Sequence, residues 1–136
     1  VPSIYGAALT NQTAEWLGEW ADGLLTVADS PEGLQNRIQS FLKHSPAKKM
    51  LMLKADISYG DNYQKALDSA YEQWRYTMVE PYQVSELRLP EDFEKATQKL
   101  TKDEVQQKVK IISRPKEAIP WIQKFIDIGF DIIVLH

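Results

Sequence analysis

Short apolar runs along this chain alternate with longer stretches whose apolar residues recur at helical spacing. Residues 3–8 (SIYGAA) form the first run, and Thr10 or Asn11 behind them can cap a helix reaching to about Ala21. Asp22-Gly23 turns the chain, residues 24–27 read as a buried strand, and Ser30-Pro31 supplies an N-cap with proline at the first helical position. The helix that follows carries Leu34, Ile38, Phe41 and Leu42 on one face and stops before Pro46. Residues 49–58 make a third extended run. Asp61 then caps a helix in which Tyr63, Ala66, Leu67, Ala70, Tyr71 and Trp74 keep the i, i+3, i+4, i+7 pattern.

From 75 to 89 no period is sustained, which predicts an irregular excursion. Residues 90–100 and the capping box Thr101-x-x-Glu104 mark two short helices. A brief extended piece at 111–113 leads into a helix over 113–129, with Ile119, Ile122, Phe125 and Ile126 on one side and Pro120 in its first turns, where proline costs least. Residues 131–136 (DIIVLH) are a fourth strand candidate. Strands alternating with helices imply parallel neighbours joined by right-handed crossovers. A full (β/α)8 barrel takes about 250 residues. Four units in 136 residues therefore predict an α/β fold, half of a TIM barrel, as a single domain over 1–136. A small doubly wound sheet is the competing architecture.

Composition narrows the chemistry. The absence of cysteine excludes disulfides, thiolate metal sites, redox CxxC motifs and a thiol nucleophile. Sixteen Lys and Arg against nineteen Asp and Glu, with no basic run, argue against a nucleic-acid partner. The longest apolar stretches, residues 132–135 among them, are far short of the roughly 20 residues of a membrane span, and the start of the chain has no signal-peptide pattern. The expectation is a cytoplasmic protein with no membrane contact.

Three places could carry chemistry. In the third extended run Lys54, Asp56 and Ser58 share one parity while Leu53, Ala55 and Ile57 share the other, which would aim the polar set into a barrel mouth; the same pattern suits a purely structural ion pair. His136 has the parity of Ile132 and Val134 and would emerge at that mouth, against a substrate or a cofactor ring. His44, at a helix end, suits a dipole partner, and no pair of histidines suggests metal chelation. Ala7, Ala8, Leu9, Thr10 and Asn11 join a strand to a helix N-terminus, where backbone N–H groups and a hydroxyl can hold an anion such as phosphate, or simply cap the helix. Trp16, Trp20, Trp74 and Trp121 fall at helical positions and read as packing residues.

IYGAALTNQTAEWLGEWADGLLTV, the AL..A...W helix at 66–74 and IISRPKEAIPWIQKFIDIGFDIIVLH, in that order, resemble the C-terminal half of luciferase-like flavin-dependent oxidoreductases. The branch most similar contains deazaflavin-dependent glucose-6-phosphate dehydrogenases and relatives thought to use FMN. The resemblance implies strands five to eight of a TIM barrel and a flavoprotein, oxidoreductase or monooxygenase, moving hydride through FMN, or alternatively a deazaflavin, to or from a small-molecule substrate. Ala7, Ala8, Leu9, Thr10 and Asn11 would then lie against the cofactor, and Lys54, Asp56, Ser58, Lys108 and His136 would be substrate-pocket candidates. The positions that hold a sugar phosphate in that branch are matched here by Val27, Ser30, Val84 and Lys108, leaving one cation, which argues against glucose 6-phosphate. The family's proton-transfer residues lie in its N-terminal half. A non-catalytic, flavin-binding or structural half-barrel is the other reading. Four parallel strands leave two apolar edges, so the chain is expected to be a piece of a longer polypeptide, to self-associate, or to pair with an N-terminal half-barrel.

Overall fold

The computed structural model describes residues 1–45, 47–79 and 81–136, so Pro46, the expected stop of the second helix, and Glu80, within the expected irregular stretch, lie outside the description. In chain order the elements are β1 (Tyr5–Ala7), α1 (Asn11–Gly18), β2 (Gly23–Val27), α2 (Pro31–Leu42), β3 (Met50–Ala55), β4 (Ile57–Tyr59) and α3 (Tyr63–Trp74). After a 3₁₀ turn at Arg75–Met78 come α4 (Pro81–Val84), α5 (Pro90–Thr97), α6 (Lys102–Lys108) and β5 (Lys110–Ile112). A second 3₁₀ turn, Pro115–Ala118, precedes α7 (Ile119–Ile128) and β6 (Ile132–Leu135). They gather into two compact units, Val1–Asp56 with Ile119–His136 and Ile57–Ala118, both within what the sequence reading treats as one domain.

The first unit is a four-stranded, all-parallel sheet in the order β1-β2-β3-β6. The order never reverses, so the sheet has no switch point of the kind that defines a doubly wound fold. β1 and β6 are its edges. Ser30 caps α2 by accepting the Gly33 N–H at 3.1 Å, with Pro31 at the first helical position. α1 ends at Gly18 rather than near Ala21, where it crosses α2 so closely that a β-carbon on Gly18 would stand 2.1 Å from the Phe41 carbonyl oxygen. α7 closes through Gly129, whose φ of 118° is open to glycine and strained for other residues. Leu24, Leu51, Leu53 and Ala55 of the sheet form one core with Leu17, Leu34, Phe41 and Phe125 of the helices. Residues of the opposite parity, among them Tyr5, Val27, Met50, Ile132 and Val134, are exposed. One face of this sheet is thus packed, with Leu135 at its edge exposed, and the other, still largely apolar, is bare around the half-buried Leu25, Met52 and Lys54.

The second unit has its own core of Ala66, Leu67, Ala70, Trp74, Val105, Val109 and Ile111, with β4 paired parallel to β5. Here the expected third strand is corrected. It ends at Ala55, and Ile57–Tyr59 belongs to a different sheet, in register with Lys110–Ile112. The cap of α3 is Asn62, which accepts the Lys65 N–H at 2.9 Å, while Asp61 pairs with the Lys65 ammonium. The capping box forms as the spacing requires: Thr101 accepts the Glu104 N–H and Glu104 accepts the Thr101 N–H at 2.7 Å. The expected helix over 113–129 is divided, its first part being the 3₁₀ turn.

Candidate functional site

The carboxyl-terminal edge of the four-stranded sheet collects most of the candidate residues. Lys54 extends from β3, Asp56 follows that strand, and His136 follows β6; the Lys54 and β6 partners are in adjacent register, with Lys54 opposite Val134. Asp56 Oδ1 accepts from Lys54 Nζ at 2.7 Å and from His136 Nδ1 at 3.1 Å. An ionised carboxylate can only accept, so the bond places a proton on Nδ1 and, in the neutral ring, the lone pair on Nε2. The backbone reinforces the placement, since the His136 N–H donates to the Ala55 carbonyl at 3.1 Å. The Asp56 carboxylate is mostly shielded while the imidazole is 62% exposed. A carboxylate that orients an accessible imidazole, itself tied to a lysine, can bind a polar group or exchange a proton with it.

At the β1 end of the same edge, Thr10 caps α1: its hydroxyl accepts the Thr13 N–H at 3.2 Å and donates to the Thr13 hydroxyl at 2.9 Å. The Thr10 side chain is therefore occupied within the helix cap, and an anion here would meet backbone N–H groups at the start of α1, which have no intrahelical acceptor. Ala7, Leu9, Thr10 and Asn11 are exposed; Ala8 is buried with its methyl group in the core, so it offers only backbone.

Ser58 and Lys108 stand in the second unit. Ser58 is buried and its hydroxyl donates to the Ala66 carbonyl at 2.8 Å, a structural bond that corrects its assignment to the same strand face as Lys54. Lys108 is exposed at the end of α6. His44 does not act on a helix dipole alone: its imidazole and Lys43 Nζ both meet Glu15 Oε1, and these donors, Lys43 foremost, hold the Glu15 carboxyl below its ordinary range. Trp20 lies beyond α1 and stacks edge-on against Trp16 with both rings exposed, so neither is a core residue; Trp74 and Trp121 do pack. A cavity lined by Leu42, Lys48, Lys49, Leu51 and Asp131 opens at the opposite, amino-terminal edge of the sheet, which in barrel folds serves stability rather than chemistry. Among the described residues no three His, Cys, Asp or Glu side chains stand together as a metal site would require, and no helix is long and apolar enough to cross a membrane.

One further group at this edge is not among the residues expected from the sequence. Arg37 of α2 is only 6% exposed, donating from Nη1 to Thr26 Oγ1 at 2.9 Å and from Nη2 to Asp29 Oδ2 at 3.1 Å. Thr26 in turn donates to the Ala8 carbonyl at 2.8 Å. The signal is available in the pattern: Arg37 sits three residues after Leu34 and four before Phe41, so a cation occupies the apolar stripe.

No family model and no curated protein matches the chain. Solved structures do. An F420-dependent secondary alcohol dehydrogenase, determined with an F420-acetone adduct, superposes with a TM-score of 0.84 at 21% identity, over 99% of this chain and 43% of its own. The coenzyme F420-dependent tetrahydromethanopterin reductase of Methanopyrus kandleri superposes with a TM-score of 0.58 at 18% identity, over 97% of this chain and 44% of its own. The chain therefore shares the fold of part of these F420-dependent oxidoreductases and spans less than half of their length.

Proposed function

We propose that this chain is the C-terminal half-barrel, strands five to eight, of a luciferase-like oxidoreductase that uses a deazaflavin. The observation that carries the reading is the 0.84 superposition on the F420-dependent alcohol dehydrogenase over nearly the whole chain. The uninterrupted parallel order β1-β2-β3-β6 and the bare apolar face of the sheet support it, because in a barrel that face is the interior. Both F420-dependent neighbours favour the deazaflavin over FMN.

The residues present fit such a cofactor on chemical grounds. Ala7 brings no bulk to the β1–α1 turn, and the first N–H groups of α1, at Asn11 and after it, are donors suited to a phosphate. A bound deazaflavin supplies hydride transfer. The chain's own residues would do the rest: Leu9, Thr10 and Asn11 hold the cofactor, and His136, oriented by Asp56, meets a polar group of the substrate and exchanges a proton at Nε2. Lys54 donates to the same Asp56 oxygen and helps fix the carboxylate in place.

Titration with the deazaflavin and with FMN, on this chain and on the product of the whole reading frame, tests the assignment, followed by reduction assays with secondary alcohols. Binding of the deazaflavin with turnover by the whole product is the expected result. FMN binding alone moves the protein to the flavin branch, and binding of neither leaves a structural half-barrel.

A further inference from the structure

Arg37 is an expensive residue in its position. Leu34 and Phe41, one turn either side on the same face of α2, are fully buried, and an apolar side chain at 37 would avoid desolvating a guanidinium. Two of its nitrogens are engaged, while Nε is buried without a hydrogen-bond partner. The side chain thus tolerates an unsatisfied donor in order to reach Thr26 and Asp29.

What it reaches explains the arrangement. A threonine hydroxyl has a single proton, and by accepting from the guanidinium Thr26 is left to donate forward, which it does to the Ala8 carbonyl. A charged donor behind it strengthens that bond. Asp29 fixes the other side of the guanidinium, and its second oxygen accepts the Ser30 N–H at 2.7 Å at the cap of α2. With the Ala8 N–H donating to the Leu25 carbonyl at 3.0 Å, both backbone polar groups of Ala8 are tied down immediately before Leu9 and Thr10. We infer that Arg37 is a positioning residue that acts through Thr26 to fix the β1–α1 turn for the anionic part of the cofactor. The inference rests on the cofactor assignment above for its purpose and on the hydrogen-bond relay for its geometry.

The test uses Arg37→Met, Arg37→Lys and Thr26→Val. In amide hydrogen exchange Arg37→Met and Thr26→Val each accelerate the Ala8 amide relative to the Leu51–Leu53 amides by roughly an order of magnitude, a local opening rather than a global one. Arg37→Lys restores part of the protection, and Arg37→Met adds nothing in the Thr26→Val background. In the product of the whole reading frame, deazaflavin affinity falls by roughly two- to tenfold in the same order, the factor that one ordinary hydrogen bond carries. Exchange at Ala8 that merely follows the Leu51–Leu53 amides in every variant, or an unchanged affinity where the unsubstituted protein binds, overturns the inference. Failure of the unsubstituted protein to bind the deazaflavin overturns the cofactor assignment instead, and the exchange data still decide whether Arg37 holds the turn.

Discussion

The two units solve the same problem, hiding apolar surface, in opposite ways. The second has a sheet of only two short strands, yet its helices α3 and α6 supply a core around Ala66, Trp74, Val105 and Val109, and its helix ends are closed by local caps. The first has four strands and a larger core, and it still leaves Ile132 at 43% and Val134 at 47% exposure on the far face of the sheet. The first unit has used its helices on one face of its sheet and kept apolar side chains exposed on the other, whereas the second gathers its helices and its two strands around a single core, with Tyr59, Tyr63 and Leu89 exposed at its periphery.

The largest effect that sharpens this contrast is expected at the packed face. Phe41→Ala should lower the stability of the first unit by about 3–5 kcal/mol, while Val134→Ser, on the bare face of the same sheet, should change it by less than about 0.5 kcal/mol. Denaturant titration of both variants checks this, and equal costs would break the distinction between faces. Gly18→Ala comes next. The added methyl meets the Phe41 backbone rather than a movable side chain, and a loss of roughly 1–3 kcal/mol is expected in the same titration.

Smaller effects separate the second unit. Thr101→Ala removes the cap of α6 and should cost about 1 kcal/mol, read as faster amide exchange at Val105 and its neighbours. Acid should also weaken this unit first. Glu104, held by the Thr101 backbone and hydroxyl, Glu117, held by the Ser113 backbone and by Arg114, and Asp68, held by Lys102 and Gln64, all have carboxyls lowered from their ordinary range. Glu15 is the one carboxyl with a resolved lowering among the described residues of the first unit. A lowered carboxyl contributes stability that is complete above its unfolded value and is lost as pH falls through the folded one. These groups are exposed, so the effect is small and shrinks with salt. As the pH drops through the carboxylate range at low salt, amide exchange should rise in Ile57–Ala118 before it rises in the packed sheet.

The parts of this molecule legible in the sequence are those fixed by local chemistry. Ser30-Pro31 and Thr101-x-x-Glu104 specify helix starts by themselves, and the alternation of short apolar runs with helical periods specifies a parallel sheet. The change of sheet at Asp56 is not legible, because strand parity continues undisturbed from Lys54 to Ser58 while the pairing partner of β4 lies more than fifty residues away at Lys110–Ile112. Ser58 is misplaced for that reason. The convergence of His136 and Lys54 on Asp56 follows from β6 lying next to β3, which parity allows but does not dictate. The exposed Trp16 and Trp20 mislead because an aromatic side chain at helical spacing reads as core whether or not its partner surface is present in the unit.

The proposed half-barrel makes the bare face of the four-stranded sheet and its edges β1 and β6 the surfaces that the rest of a barrel would cover. Sedimentation velocity on the 136-residue chain at micromolar concentration tests it directly. Association through that face is expected, reduced by Ile132→Lys and Val134→Lys, which leave the packed side of the sheet untouched. A folded, cooperatively melting monomer, unchanged by those two substitutions, would contradict it and assign the chain a self-contained α/β sheet.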